Sequence, residues 1–322
     1  MIVTLTPNPS LDRALDLDRL VRGEVNRAAA VHVHPGGKGI NVSRALVAQG
    51  IASLAVLPVG GAPGEQLVAL LTEQGVRTVP VPVVGPTRTN ITIVERAGAT
   101  TKINAPGTPL GLEEIDALVA AVEEQLASRP HWLVAAGSLP AGTGDAFFVR
   151  VAGLAARYGV PLALDTSGVP LVRAVRAGGL HVVKPNADEL AELVGGDLTT
   201  VGDVVEAARE VISAGNGDVL VSLGAHGALL VTAAGTWWAG GADCTHERHA
   251  RRVDGRCGRL HTRGVPRCHR VARRATAHRR RLGTCRRPAA RQCRPLTRRH
   301  RCRDSPCHRE ARSAPRPEGA VT

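Results

Sequence analysis

At 322 residues the chain can hold one large domain or two smaller ones, and its net charge of +13 would suggest an anionic partner. That charge is uneven: residues 1–240 carry 17 Lys and Arg against 22 Asp and Glu, whereas residues 241–322 carry 24 Arg, no Lys and 6 acids, with all 7 cysteines and 7 of the 12 histidines. The first part is therefore mildly acidic and cysteine-free, which suits a reduced, cytoplasmic setting and removes the whole-chain argument for a nucleic-acid partner there. Met1 leads directly into Ile2-Val3-Thr4-Leu5 without a basic leader or long apolar stretch, so a secretory signal is not expected. No apolar run approaches the roughly 20 residues of a membrane helix.

Residues 2–5 form a short apolar run that predicts a buried strand, ending in Thr6-Pro7-Asn8-Pro9-Ser10. Asp12 follows where the chain leaves that strand. A carboxylate there accepts hydrogen bonds from ligand hydroxyls, although a turn or cap would use it equally well. Residues 13–34 alternate weakly and contain Gly23 and Asn26, as a small, partly exposed sheet would. Val31-His32-Val33 alternates as a strand, while Val42, Ala45, Leu46 and Ala48 repeat at helical spacing, so His34-Pro35-Gly36-Gly37-Lys38-Gly39-Ile40-Asn41 joins a strand to a helix. Glycines there let the backbone approach a ligand, and the first helical N–H groups favour an anion. Lys38 adds a mobile charge and Asn41 a two-way amide. The cluster is neither a Walker A loop nor GxGxxG, and taken alone a plain turn explains it equally; chemically it suits a polar, phosphorylated small molecule.

Residues 55–59 predict a strand, 64–75 a helix and 76–84 another strand, an alternation that argues for a parallel sheet with helices on its faces. Residues 87–94 and 101–104 alternate polar and branched side chains around Arg96-Ala97-Gly98, which predicts a hairpin whose polar face covers a ligand. Arg88 offers a planar fork for a phosphate, or only a solvated charge. Residues 110–128 read as an amphipathic helix and 132–136 as a buried strand ending in Gly137-Ser138-Leu139-Pro140. A helix over 146–158 and a strand over 162–164 follow, the latter ending in the loop Asp165-Thr166-Ser167-Gly168. After Val182-Val183-Lys184-Pro185, Asn186 and Glu189 stand three apart at a helix start, a spacing that suits water-mediated magnesium or a plain capping box. Residues 219–228 predict a strand, a glycine turn and a second strand, and that turn could admit a nucleotide.

These segments, in this order over about residues 1–240, resemble the phosphofructokinase B family of ribokinase-like sugar kinases. The resemblance rests on Thr4-Leu5-Thr6-Pro7-Asn8-Pro9, Asp12, Gly36-Gly37-Lys38-Gly39-Ile40-Asn41, Thr87-Arg88-Thr89-Asn90, Gly137-Ser138-Leu139-Pro140, Asp165-Thr166-Ser167-Gly168, Lys184-Pro185-Asn186 with Glu189, and Ser222-Leu223-Gly224. Within the family the hexose-phosphate branch is the most similar, above all the 1-phosphofructokinases, with tagatose-6-phosphate kinases close by. The resemblance implies an α/β fold: a central, mostly parallel sheet flanked by helices, with a small β-lid from about residues 12–34 and 87–104. It implies transfer of the ATP γ-phosphate to a hydroxyl of a hexose phosphate, fructose 1-phosphate above others, with Mg²⁺ as cofactor.

By the same resemblance, Asp12, Gly36, Gly37, Asn41, Asn90 and Ser138 bind the sugar, and Lys38 and Arg88 contact the phosphate it already carries. Lys184, Asn186, Ser222, Gly224 and Gly227 border the nucleotide, and Asn186 and Glu189 organise Mg²⁺ through water. Lids of this kind often pair into homodimers.

The family also needs a Gly-Ala-Gly-Asp loop that opens a helix, supplying N–H groups to the transferring phosphoryl and an aspartate base. At its place stands Val253-Asp254-Gly255-Arg256-Cys257-Gly258-Arg259-Leu260. Those residues can be encoded GTC GAC GGT CGG TGC GGG CGA CTC, and the same bases read one nucleotide later give Ser-Thr-Val-Gly-Ala-Gly-Asp. Residues 260–268 read likewise give Ser-Thr-Arg-Ala-Gly-Tyr-Leu-Ala-Ala, similar to the helix expected next. The expectation is therefore a kinase domain over 1–240, incomplete, followed by an aberrant, frameshifted tail over 241–322.

With only 7 Val, Ile, Leu, Met, Phe or Trp residues, that tail offers too little apolar surface to offset ordering entropy, so it is expected to be irregular and kinase activity impaired. An arginine-rich arm for nucleic acid is the rival from another class. The tail lacks interleaved aromatics and a reader motif, so no specific nucleic acid is expected, and its cysteines lack the paired spacing of a zinc site. A sugar-phosphate-binding protein without turnover is the remaining alternative.

Overall fold

A computed structural model describes residues 1–240 and the backbone of 249–252. The expectations for the remaining tail, including the lost loop at residues 253–260, lie outside the described residues. In chain order the elements are β1 (Ile2–Leu5), β2 (Ser10–Leu17), β3 (Ala30–Gly36), α1 (Lys38–Ala48), β4 (Ser53–Val59), α2 (Gly61–Glu73), β5 (Arg77–Pro82), β6 (Arg88–Glu95) and β7 (Thr100–Ile103). There follow α3 (Leu112–Ala127), β8 (Trp132–Ala136), α4 (Phe147–Arg157), β9 (Leu162–Asp165), α5 (Gly168–Ala177), β10 (Val182–Val183), α6 (Ala187–Val194) and α7 (Val201–Ser213). The last are β11 (Asp218–Ser222), β12 (Ala228–Thr232), β13 (Gly235–Gly240) and β14 (His249–Arg252).

Ten strands form one sheet in the order β14-β13-β12-β11-β10-β9-β8-β1-β4-β5. From β11 to β5 all neighbours run parallel; β11 to β14 are joined antiparallel. A parallel strand covered on both faces is buried along its length, and in β1 Val3, Thr4 and Leu5 are all fully buried, the one hydroxyl among them satisfied by Ser43. The chain leaves β1 toward β4 and β5 on one side and later fills β8 to β11 on the other. Strand order thus reverses beside β1, and the crevice outside its carboxyl end is where open α/β sheets bind ligands.

The helices seat their apolar stripes on this sheet. Leu118, Val122 and Leu126 of α3, Phe148 and Val151 of α4, and Ala208 of α7 are buried against Leu133, Leu162, Val219 and Val221. On the other side, Ile40 of α1 and Leu67 and Leu71 of α2 pack with Ala55, Leu57 and Leu11. A buried hydroxyl chain fixes α1 more closely: Ser43 Oγ lies 2.8 Å from Thr4 Oγ1 and 2.8 Å from Ser53 Oγ, tying the helix to β1 and β4. Each such bond contributes about 1 kcal/mol, and together they set where the glycine cluster at the helix start must stand.

β2, β3, β6 and β7 form a separate four-stranded sheet, with β2 antiparallel to β3 and parallel to β6. This is the expected lid. Asp12 lies within β2 rather than at the exit of β1, because the chain turns at Pro7-Asn8-Pro9 and starts the new sheet at Ser10. The helix expected over 64–75 begins earlier, at Gly61, since Pro63 is accommodated in a first helical turn. The elements α5, α7 and β13 are not among those the sequence predicts, and neither is β14, a strand within the stretch expected to be irregular. Among the described residues no helix is long and apolar enough to cross a membrane.

Candidate active site

Polar side chains gather at the carboxyl ends of β1, β8, β9 and β10 and on the lid strands β2 and β6. Asp12 is the acceptor at the lid's base. Ser10 Oγ donates to its Oδ1 at 2.7 Å and Asn90 Nδ2 at 2.9 Å, while Asn90 Oδ1 accepts from Ala105 N at 3.1 Å. Asn90 is thus held at both ends, and its bond to Asp12 joins β6 to β2, where the two residues pair in the parallel ladder.

Gly36 is needed because the Asp12 side chain occupies the space beside it: a Cβ there would stand 2.2 Å from Asp12 Oδ2 and 2.5 Å from Ser10 Oγ. Gly37 adopts φ 124° as N-cap of α1, a conformation that favours glycine, and its Cβ would meet Thr6 at 2.7 Å. Two of the glycines predicted to bind sugar are therefore fixed by close packing against Thr6, Ser10 and Asp12. Asn41, by contrast, is exposed, and its Oδ1 accepts from Arg44 Nη1 at 3.3 Å.

Arg88 is committed to backbone. Its Nε donates to Pro9 O at 3.4 Å, Nη2 to Asn8 O at 3.0 Å and Nη1 to Ala105 O at 2.8 Å. It clamps the exit of β1 to the segment after β7, leaving one N–H on each terminal nitrogen for a phosphate. Burial pulls the guanidinium below its ordinary pKa, against the opposing field of Asp12. Asn8, buried and absent from the predicted set, completes this frame: its Nδ2 donates to Pro106 O at 3.0 Å and to Ser138 Oγ at 3.3 Å. Ser138 is exposed at the mouth of a cleft of about 560 Å³ lined also by Leu139, Gly142, Asp145, Thr166 and Ser167.

Lys38 and Lys184 meet at one carboxylate, Asp165, whose place in the sequence signals only a loop after a strand. Asp165, at the end of β9, accepts Lys38 Nζ on Oδ1 at 2.6 Å and Lys184 Nζ on Oδ2 at 3.0 Å. Its side chain is 15% exposed, against 47% and 40% for the two lysines. The expected phosphate-side and nucleotide-side cations are therefore neighbours in space.

Asn186 and Glu189 form a reciprocal capping box at the start of α6, with Glu189 N donating to Asn186 Oδ1 at 2.7 Å and Asn186 N to Glu189 Oε2 at 2.8 Å. The box leaves Glu189 Oε1 and Asn186 Nδ2 for other partners. A hydrated Mg²⁺, which takes oxygen ligands and keeps part of its water, fits one free carboxylate oxygen beside phosphate oxygens better than it fits a dedicated cage. Among the described residues no group of three or more His, Cys, Asp or Glu could hold a metal ion. Asn186 is bridged to Ser222, which brings the end of β11 beside α6.

At Gly224, with φ 58°, a Cβ would meet nothing within 4 Å, so the turn after β11 borders open space. Gly227 has a different reason: its Cβ would stand 2.0 Å from Ala239 O, so β13 requires the glycine.

A family model for pfkB family carbohydrate kinases matches residues 6–243. The chain belongs to the pfkB family of carbohydrate kinases. Among curated proteins it is 38% identical over 240 residues to the 1-phosphofructokinase of Rhodobacter capsulatus, covering 72% of this chain and 74% of that protein. It is also 38% identical over 233 residues to the ATP-dependent 6-phosphofructokinase isozyme 2 of Mycobacterium tuberculosis H37Rv, covering 72% of this chain and 68% of that protein. Phosphofructokinase-2 from Escherichia coli, solved with fructose-6-phosphate, is similar with a TM-score of 0.71 at 35% identity, covering 76% of this chain and 81% of that one. The fold is the ribokinase-like one expected. The match ends at residue 243, a few residues past the change of composition near Gly240.

Within this pfkB chain, the structure brings Asp12, Gly36, Gly37 and Asn90 into one cluster and Lys38 and Lys184 into another. Arg88 and Ser138 are tied to each other through Asn8, which donates to Ser138 and whose carbonyl accepts Arg88.

Proposed function

We propose that residues 1–240 form the substrate and nucleotide sites of an ATP-dependent hexose-phosphate kinase, with fructose 1-phosphate as substrate and fructose 1,6-bisphosphate as product. The observation that supports this reading is that a fixed hydroxyl acceptor, Asp12, and the two-lysine cluster at Asp165 adjoin the same glycine cluster, Gly36 packing on Asp12 and Lys38 pairing with Asp165. Asp12 accepts sugar hydroxyls while Asn90 and Ser10 hold its second oxygen in place. Lys38 and the free N–H groups of Arg88 take the substrate's own phosphate. Lys184 faces the nucleotide phosphates, and Glu189 with Asn186 orients the water shell of Mg²⁺. When bound, Mg²⁺ neutralises charge on the nucleotide phosphates. Phosphoryl transfer depends mostly on such positioning and charge stabilisation, which dispersed turns and cations provide. Tagatose 6-phosphate and fructose 6-phosphate are the alternative substrates.

The chain as written should nonetheless turn over poorly, because the Gly-Ala-Gly-Asp loop has no counterpart in its sequence. Loss of a positioned base costs about 10²–10⁴ in rate, and loss of oxyanion-type donors about 10²–10³ more. A sugar-phosphate-binding protein without turnover is the second reading, favoured by intact lid and strand ends beside a missing loop. Exposed Val31 and Ile103, on the same apolar face of the lid, support pairing of two lids in a homodimer.

Steady-state assay with ATP-Mg and fructose 1-phosphate tests the reading in two chains, the one as written and one from a gene whose frame restores the loop. Turnover only in the second supports it. Normal turnover by the chain as written overturns the impairment, and none in either overturns the kinase assignment.

A further inference from the structure

The place of Asp165 between Lys38 and Lys184 has a consequence beyond holding them. We propose that Asp165 is a positioning residue that couples the two anion sites, so that an anion taken by Lys38 weakens the hold of Lys184 on an anion, and the reverse. The proposal rests on the hexose-phosphate kinase reading of this site.

The carboxylate is the fixed partner. Asp165 pairs with Ala136 in the ladder between β8 and β9, and its carbonyl accepts Gly137 N at 2.8 Å. Gly137 O in turn accepts Thr166 Oγ1 at 3.0 Å, so the strand end is pinned on both sides of the carboxylate. The lysines are the mobile partners: about half-exposed, on long flexible stems, and borne by separate elements, Lys38 at the start of α1 and Lys184 just beyond β10. Among the described residues neither has another carboxylate partner.

One negative charge is thus divided between two positive ones, each on its own oxygen. When a phosphate draws Lys38 away, the whole carboxylate charge falls to Lys184, which must then leave a stronger partner to reach the nucleotide. Linkage makes the effect equal in the other direction. The two lysines therefore cannot both be withdrawn from Asp165 as easily as either alone, and the site resists trapping two anions before the lid has ordered them.

The test is a thermodynamic cycle by titration calorimetry on the full chain, with fructose 1-phosphate and a non-hydrolysable ATP analogue plus Mg²⁺. Saturating fructose 1-phosphate should raise the Kd of the analogue by about fivefold or more, and the analogue should raise that of the sugar phosphate by the same factor. In Asp165→Asn, checked for folding by thermal unfolding, the factor should fall to about one, while Asp165→Glu should keep most of it. Lys38→Gln removes the same sharing from the other side and should also abolish it, which keeps the test decisive if Asp165→Asn does not fold. An unchanged factor in these variants, no factor in the unaltered chain, or mutual strengthening would overturn the coupling while leaving the site reading intact. Failure of the unaltered chain to bind either ligand would overturn the site reading, and the coupling with it.

Discussion

Asn90 Nδ2 donates to Asp12 Oδ1 at 2.9 Å across two parallel strands that pair these residues in register. Since Ser10 donates to the same oxygen, Asp12 Oδ1 is held within the lid, while Oδ2, which lies beside Gly36, has no protein donor among the described residues. Preorganisation of this kind is how an acceptor contributes to affinity without paying for its own ordering on binding.

Replacing Asp12 by Ala should weaken fructose 1-phosphate binding about 10-fold to 100-fold, the equivalent of about 1.5–3 kcal/mol for hydrogen bonds to a charged group. Calorimetric titration checks this. An affinity within about twofold of the unaltered chain's would show that Asp12 is only a strand residue.

Gly36→Ala should act on the same carboxylate from behind. Its methyl would displace Asp12 and Ser10, costing about 1–3 kcal/mol of stability as overpacking does, and should lower sugar-phosphate affinity as well. Chemical denaturation with a parallel titration separates the two effects. Stability lost with affinity kept would place the glycine in packing alone.

Two capping boxes give an internal control. Asn186→Ala and Thr200→Ala each remove an N-cap acceptor, from Glu189 N at 2.7 Å and Asp203 N at 3.2 Å, so each should cost about 1 kcal/mol in denaturant unfolding. Only Asn186→Ala should also weaken nucleotide-Mg binding. Equal nucleotide affinity in both variants would return Asn186 to a purely structural role.

Glu114 accepts Val84 N and Gly111 N, both at 2.7 Å, and these backbone bonds hold its pKa below the ordinary carboxylate value. A depressed pKa in the folded state means that the ionised group stabilises the fold above the unfolded-state value, with the contribution lost as pH falls through the folded one. Glu114→Gln should therefore lower Tm near neutral pH, and the gap to the unaltered chain should close on acidification below the ordinary carboxylate pKa. A gap independent of pH across that window would contradict the assignment.

The lid and the parallel sheet were legible because their strands alternate or run apolar without interruption, as residues 87–94 and 132–136 do. The Asn186 to Glu189 spacing likewise announced its capping box. Asp165 was not legible as the meeting point of two lysines, since Lys38 lies 127 residues away in sequence and a carboxylate after a strand reads first as a turn. The Arg88 clamp was hidden for another reason: its acceptors are backbone carbonyls, which leave no mark in residue identity. Helix α7 did carry a readable signal, Thr200 three residues before Asp203 ahead of an apolar stripe, that the sequence reading passed over.

The central claim is that residues 1–240 keep a working hexose-phosphate site, and calorimetric titration of the full chain with fructose 1-phosphate tests it most directly, with Asp12→Ala as control. Saturable one-site binding that the substitution weakens by at least about tenfold is the result the structure predicts. No binding by the unaltered chain, or binding indifferent to Asp12, would contradict it.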